Sequence, residues 1–233
     1  PGDLPVTDLW LEIPERVPIH AWWAQPTRWE PRHGAVLFCH GNGGNLSSRG
    51  EAVRPWLQEM GLAVLLFDYP GYGKSGGKPS EEGCYAAGEA AYHWLWKTTG
   101  CPRESLLLLG VSLGGGVAIE LARRLPHRAL VLINPFASLW AMSRLQFPWL
   151  PVHWLTRNRF DNLSKIPHCP GPTMIAHATA DQVVPFAQGE QLFAAAREPR
   201  RFFPLEGFDH HHRPGLDFYQ SLKEFLKRVE RGP

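Results

Sequence analysis

Cysteine is scarce in this chain of 233 residues: Cys39, Cys84, Cys101 and Cys169 are scattered, and no two form a C-x-x-C pair. A disulfide framework, a thiol zinc site and a redox dithiol are excluded on that ground. Four free thiols lean toward a reducing, cytoplasmic setting. An excess of one charge is also missing, with 24 Lys and Arg against 22 Asp and Glu. A nucleic-acid binder carries a clearly basic face, so no nucleic-acid partner is expected. Long apolar runs are absent as well. The uncharged stretch Ser105–Ile119 is shorter than the ~18–20 residues of a membrane span, and Gly110, Ser112 and Gly114 to Gly116 break it. The chain opens at Pro1, not Met; any membrane association would have to come through a segment ahead of it. Against these shortages stand 10 Trp, 22 Pro and a hydrophobic share of 44%, enough for a full core with aromatic surface to spare for cavities or interfaces.

Hydrophobic periodicity predicts an alternation of strands and helices. Val6–Ile13 and Ile19–Ala24, punctuated by Pro14 and Pro18, read as two antiparallel strands. Ala35–Cys39, Leu62–Phe67, Leu106–Leu109, Ala129–Ile133 and Thr173–Ala176 are unbroken apolar runs, the mark of parallel strands covered on both faces. A last strand falls near Phe202–Phe203. Amphipathic stretches lie between them, at Glu51–Met60, Ser80–Thr98, Gly115–Leu125 and Phe186–Ala196. The last helix places Leu216, Tyr219, Leu222, Phe225, Leu226 and Val229 at three- and four-residue steps. The pattern is a doubly wound α/β sheet with helices on both faces, in one domain spanning 1–233. One irregular region, rich in Trp and Pro, is expected to form a small cap at roughly 137–167. Phe136, Trp140, Phe147, Trp149 and Trp154 are its candidate pocket residues.

Chemistry enters at Gly110-Val111-Ser112-Leu113-Gly114. A buried strand precedes this G-x-S-x-G and an apolar helix follows it, the context of a nucleophile elbow. The turn is tight enough that a Cβ at Gly110 or Gly114 would strike the neighbouring strand and helix. Its product is a serine hydroxyl held above the sheet at the positive end of a helix, where it can attack a carbonyl. The run His40-Gly41-Asn42-Gly43-Gly44-Asn45 follows an earlier strand and can supply one backbone N–H to an oxyanion hole. Asn42 and Leu113 are the expected donors. If the acid and base come later in the chain, Asp181 follows the penultimate strand, and His210, His211 and His212 fill the loop after the last one.

With these pieces together the chain resembles the α/β-hydrolases, and within them the compact BEM46 and ABHD13/ABHD17-like group. The resemblance covers nearly the whole chain. It rests on His40–Asn45, on Phe67–Gly77 (FDYPGYGKSGG), on Gly110–Gly115, on Thr179–Pro185 (TADQVVP) and on Phe160–Asn162. It implies an α/β-hydrolase fold with a mostly parallel sheet of about eight strands. It also implies Ser112 as nucleophile, Asp181 as acid and His210 as base, with hydrolysis of esters or thioesters and no cofactor. His211 stands where relatives often carry Asn after the base, and Ala178 where they often carry Gly.

Other signals in the chain lead nowhere. Gly71-Tyr72-Gly73-Lys74-Ser75-Gly76 matches G-x-G-x-x-G, yet four residues separate it from the next helix, so no helix N-terminus would meet a pyrophosphate. A P-loop would need glycine where Asp68 stands. Adjacent histidines at 210–212 diverge, so no metal is expected there. Glu51, Glu59, Glu81 and Glu82 read as helix-surface charges. A peptidase on the same scaffold would need an acid for the substrate ammonium, whereas Ala137–Leu155 contains neither Asp nor Glu. That favours a small apolar acyl ester or thioester as the partner molecule over a peptide. A non-catalytic binding protein would usually have lost the serine or the histidine, and both are present.

Overall fold

The computed structural model describes residues 4–140, 142 and 158–231. Eight strands form one sheet in the order β1-β2-β4-β3-β5-β6-β7-β8. They are β1 (Thr7–Ile13), β2 (Val17–Ala24), β3 (Ala35–Cys39), β4 (Ala63–Phe67), β5 (Leu106–Val111), β6 (Ala129–Ile133), β7 (Thr173–Ala178) and β8 (Arg200–Leu205). The first two pair antiparallel with each other, β2 pairs antiparallel with β4, and every pairing from β4 onward is parallel. The expectation of a mostly parallel sheet of about eight strands is met.

Why the middle strands read as unbroken apolar runs is plain from their two faces. Ala35, Leu37 and Cys39 of β3 belong to one core layer, while Val36 and Phe38 belong to the other. The first layer is closed by helices α2 (Glu81–Thr99) and α3 (Leu113–Arg124), through Ala87, Ala91, Leu95, Val117 and Leu121. The second is closed by α1 (Gly50–Gln58) and by the C-terminal helix, Leu216–Glu230, through Val53, Trp56, Phe218, Leu222 and Phe225. Between them in sequence lie α4 (Asn162–Lys165) and α5 (Phe186–Ala195), so the C-terminal helix is α6. The start of α2 is set by Ser80, whose hydroxyl accepts the Gly83 N–H at 3.0 Å. It ends at Gly100, which takes the left-handed conformation with φ 71°.

Strand order reverses around β3, which lies between β4 and β5 although it precedes both. Loops leaving neighbouring strands at such a point diverge and open a crevice at the carboxyl ends. Two glycines let the chain close there. A Cβ on Gly114 would lie 1.9 Å from the Cys39 carbonyl oxygen, and one on Gly110 would lie 2.6 Å from the Gly115 Cα. The turn between β5 and α3 thus packs backbone against backbone. Pairing of Val111 with Ile133 carries β5 two residues past its predicted end and delivers Ser112 straight into that turn. The glycine motif at 71–76 is a turn, not a helix start: Gly71 N–H donates to the Gly76 carbonyl at 2.8 Å.

The two glycines that begin α3 should behave oppositely. Gly114→Ala forces a methyl into the Cys39 carbonyl, and urea denaturation should show a loss of at least about 2 kcal/mol or no folded protein. Gly115→Ala meets nothing closer than the Pro135 Cβ at 3.5 Å. It should be neutral or gain up to about 1 kcal/mol from helix propensity. Equal effects would show that the close approach does not govern the turn.

Candidate active site

Ser112 has φ 50° and ψ −115°, a conformation that side chains avoid. It is held by the strand before it, the helix after it and the hydrogen bond from its N–H to the Ile133 carbonyl, 2.9 Å. The reward for this strain is a hydroxyl standing clear of the backbone. His210 Nε2 lies 3.1 Å from Ser112 Oγ, and His210 Nδ1 lies 2.6 Å from Asp181 Oδ2. Strand ends β5, β7 and β8 therefore bring the three predicted residues into one chain of hydrogen bonds. With Nδ1–H donating to the carboxylate, Nε2 is the acceptor for the serine proton. The neighbouring histidines are turned elsewhere. The ring of His212 stacks on Phe208 with centroids 3.6 Å apart, and His211 sits edge-on to His210 at 5.4 Å.

Asp181 is buried, which by itself would raise its pKa. Hydrogen bonds from His177, His210 and the Val184 N–H outweigh that, so the carboxyl is held well below the usual carboxylate range. Oδ1 accepts the N–H groups of Val183 and Val184 at 2.8 and 2.7 Å, leaving Oδ2 for the histidine. The carboxylate is thus fixed as an acceptor. The four cysteines are all free and buried. Burial pushes the thiols of Cys84 and Cys169 up to about 12, which keeps them protonated and poor nucleophiles.

The loop after β3 lies against the elbow. A Cβ on Gly41 would be 3.4 Å from the Ser112 Cβ. Neither the Asn42 nor the Leu113 N–H has an acceptor among the described residues. The Asn42 side chain is pinned by the Tyr72 hydroxyl, 2.7 Å from its Oδ1. Arg49 braces the same loop, donating to the Gly43 carbonyl at 2.5 Å. Beneath it, buried Asp68 accepts the Leu46 N–H at 3.1 Å. A Cβ on Gly73 would strike the other Asp68 oxygen at 2.1 Å, so the glycine is there for close approach.

Three contributors escaped the sequence reading. Asn134, at the end of β6 with φ 49°, donates to the His210 carbonyl at 2.9 Å and accepts the Ala178 N–H at 2.9 Å. It ties the loops that carry the base and the acid to each other. His177 is fully buried on β7; its Nε2–H donates to the Val184 carbonyl at 2.9 Å and stands 3.5 Å from Asp181 Oδ2. Neither residue belongs to a spacing motif that could have announced it. Glu81, taken as a surface charge, is instead an anchor: its carboxylate accepts the N–H groups of Arg159 and Phe160 at 2.6 and 3.0 Å and the Tyr85 hydroxyl at 2.6 Å. An acid in the first turn of a helix looks solvated until the chain 78 residues later folds onto it.

Two cavities meet at Ser112. One, of about 530 Å³, extends past His210 over Phe38, Trp56 and Tyr219. The other, of about 370 Å³, is lined by Leu113, Phe136, Leu139, Met142 and Phe160. Phe136 is where the pocket was expected. Trp140 lines neither cavity. Residues 139, 140 and 142 are helical, and a helix that turns Leu139 and Met142 to the groove turns Trp140 about 100° away. Phe147, Trp149 and Trp154, with most of the expected cap, lie outside the described residues. Among the described residues no three His, Cys, Asp or Glu side chains are grouped to hold a metal ion.

A mostly parallel sheet with a serine after β5, an acid after β7 and a histidine after β8 defines a class of protein. The family model described as alpha/beta hydrolase fold matches residues 34–163. An uncharacterized protein of Mycobacterium tuberculosis, Rv2307c, is 39% identical over 195 residues, covering 82% of this chain and 69% of the relative. The alpha/beta hydrolase domain-containing protein aho-3 of Caenorhabditis elegans is 34% identical over 161 residues, 69% of this chain and 47% of that protein. Among solved structures, the esterase Pf2001 of Pyrococcus furiosus superposes with a TM-score of 0.77 at 19% identity, covering 97% of this chain and 93% of that one. The chain belongs to the α/β-hydrolase fold family.

The depressed pKa of Asp181 carries a sign that can be checked. A carboxyl with a lowered folded-state pKa adds stability that is fully present above its unfolded value of ~3.9. That stability is lost as the pH falls through the folded value. Urea titrations should therefore show wild type more stable than Asp181→Asn at pH 6, with the gap narrowing at pH 3 and below. A gap that does not change with pH would contradict the assignment of the ionised form.

Proposed function

We propose that this protein is a serine hydrolase that cleaves carboxylic esters or thioesters through an acyl-enzyme. The observation that carries the reading is the continuous contact Ser112 Oγ–His210 Nε2 and His210 Nδ1–Asp181 Oδ2, at 3.1 and 2.6 Å. His210 takes the Ser112 proton as Oγ attacks the acyl carbon. Charge gathers on the carbonyl oxygen, and the N–H groups of Asn42 and Leu113 receive it. Asp181 keeps the imidazole in its Nδ1–H form and stabilises the imidazolium. Collapse of the tetrahedral intermediate expels the alcohol or thiol, which takes the proton from Nε2; water then enters and the same steps run again to free the acid. No cofactor is needed for this sequence. The Pyrococcus furiosus protein is described as an esterase, which agrees with the reading. The narrower placement with the BEM46-like group is part of the same proposal and rests on the motifs alone.

An aminopeptidase reading would call for an unpaired carboxylate at the site to hold the substrate ammonium. The smaller cavity has none among its described lining. The larger has Glu51, which faces Arg54 at 3.4 Å. Neither offers a seat for a substrate ammonium, and apolar acyl groups suit the Phe136, Leu139, Met142 and Phe160 surface better.

Fluorophosphonate treatment followed by intact-mass and peptide mapping should give one adduct, on Ser112, absent from Ser112→Ala. Ester turnover should fall at least ~10³-fold in Ser112→Ala and in His210→Ala, while His211→Ala keeps at least a tenth. Full activity in His210→Ala would move the base to its neighbour. On a substrate panel, p-nitrophenyl esters of short and medium acids should be cleaved faster than aminoacyl p-nitroanilides; the reverse order would favour the peptidase.

A further inference from the structure

The two cavities at Ser112 are not equivalent with respect to the base. The expelled alcohol or thiol must receive its proton from His210 Nε2, so the leaving group lies on the histidine's side of the serine and the acyl group on the other. His210 lines the larger cavity and not the smaller. Resting on the serine-hydrolase reading, this assigns the leaving group to the 530 Å³ cavity and the acyl group to the apolar groove at Phe136 and Phe160.

The leaving-group cavity carries an unbalanced charge. Arg49 and Arg213 both line it, and neither has a carboxylate within ion-pair distance among the described residues. Glu51, the one acid lining it, is engaged by Arg54. Residues 143–157, the long stretch outside the described residues, contain no Asp or Glu. Arg213 stands close to the cavity floor: burial pushes the Tyr219 phenol up to about 12, and the Arg213 charge works against that shift. Among the described residues Arg123 and Arg124 pair with Glu120, Arg128 with Glu230 and Arg200 with Glu198, while other arginines without an acid partner, such as Arg16, Arg28 and Arg197, line neither cavity. Two guanidinium groups without acid partners in one cavity are the chemistry that recognises an anion.

We propose that the leaving group of the natural substrate is an alcohol or thiol that carries an anionic group, a carboxylate or a phosphate, held between Arg213 and Arg49 in the larger cavity. The bond broken is the acyl C–O or C–S bond; the leaving oxygen or sulfur takes the His210 proton and departs with its anion still bound at the rim. Of the two arginines, Arg49 also braces the oxyanion loop, so Arg213 is the one whose removal reads the anion alone.

The test measures kcat/KM for four esters: phenyl butyrate, 4-carboxyphenyl butyrate, 4-(phosphonomethyl)phenyl butyrate and monophenyl glutarate. Each value is divided by that ester's hydroxide-catalysed rate to remove intrinsic reactivity. An anion on the leaving group should raise the corrected value at least tenfold over phenyl butyrate, and the larger of the two gains tells carboxylate from phosphate. Arg213→Gln should cut that preference at least fivefold. Arg32→Gln removes the same charge ahead of β3, at the opposite end of the sheet, and should keep the preference within twofold. The proposal is overturned if the preference is missing, survives in Arg213→Gln, or goes to monophenyl glutarate, whose charge is on the acyl side. A Ser112 adduct with any of those outcomes leaves the hydrolase reading standing. Four inert esters and no adduct would overturn both.

Discussion

Everything at this site depends on one close approach, the backbone of α3's first turn against the backbone that ends β3. With no Cβ at Gly114, the Cys39 carbonyl can sit where a side chain would otherwise begin. That contact lays the loop after β3 against the elbow, where a Cβ on Gly41 would be 3.4 Å from the Ser112 Cβ. Strain at Ser112 is the consequence. It is tolerated because strand, helix and the bond to Ile133 over-determine the conformation. In the proposed reaction the hydroxyl is therefore held in place before substrate arrives, which spares reorganisation when charge develops.

The second layer of the design is electrostatic. A buried carboxylate would ordinarily pick up a proton and lose its power to orient a histidine. Here three hydrogen bonds, from two N–H groups and the His210 imidazole, with the His177 ring 3.5 Å away, hold the charge on Asp181. The loops that carry acid and base leave β7 and β8, whose parallel pairing ends at Ala178 and Leu205. Asn134 then clips both loops from the next strand over. Serine, acid and histidine are thus all tied to the ends of one sheet, the histidine loop through Asn134.

The tryptophans tell a different story from their number. Trp23 packs with Trp29 and Trp94 in a cluster between the β2 face and α2, and Trp22 and Trp56 are buried in the core. Only Trp56, among the described tryptophans, reaches a cavity wall. The Trp23 cluster sits at the antiparallel margin of the sheet, on β2 beside β1.

The strand–helix order, the elbow with its serine, the acid after the penultimate strand and the histidine loop after the last were all readable in the chain. Each is a local pattern: an apolar run buried on both faces, a glycine pair around a serine, a polar residue next to a strand end. The particular histidine was readable only through the family pattern, because three adjacent imidazoles are chemically alike and differ only in where the loop aims them. Asn134, His177 and Glu81 could not be read at all. Their partners lie tens of residues away, and nothing in a lone Asn, His or Glu says which backbone group will come to it. The same holds for the cavities. Arg49 and Arg213 are 164 positions apart, and only the fold brings both to one cavity. Local chemistry was set by the chain; which charges face each other was decided by the sheet topology, because long-range juxtaposition is a property of how the strands are ordered and not of any segment.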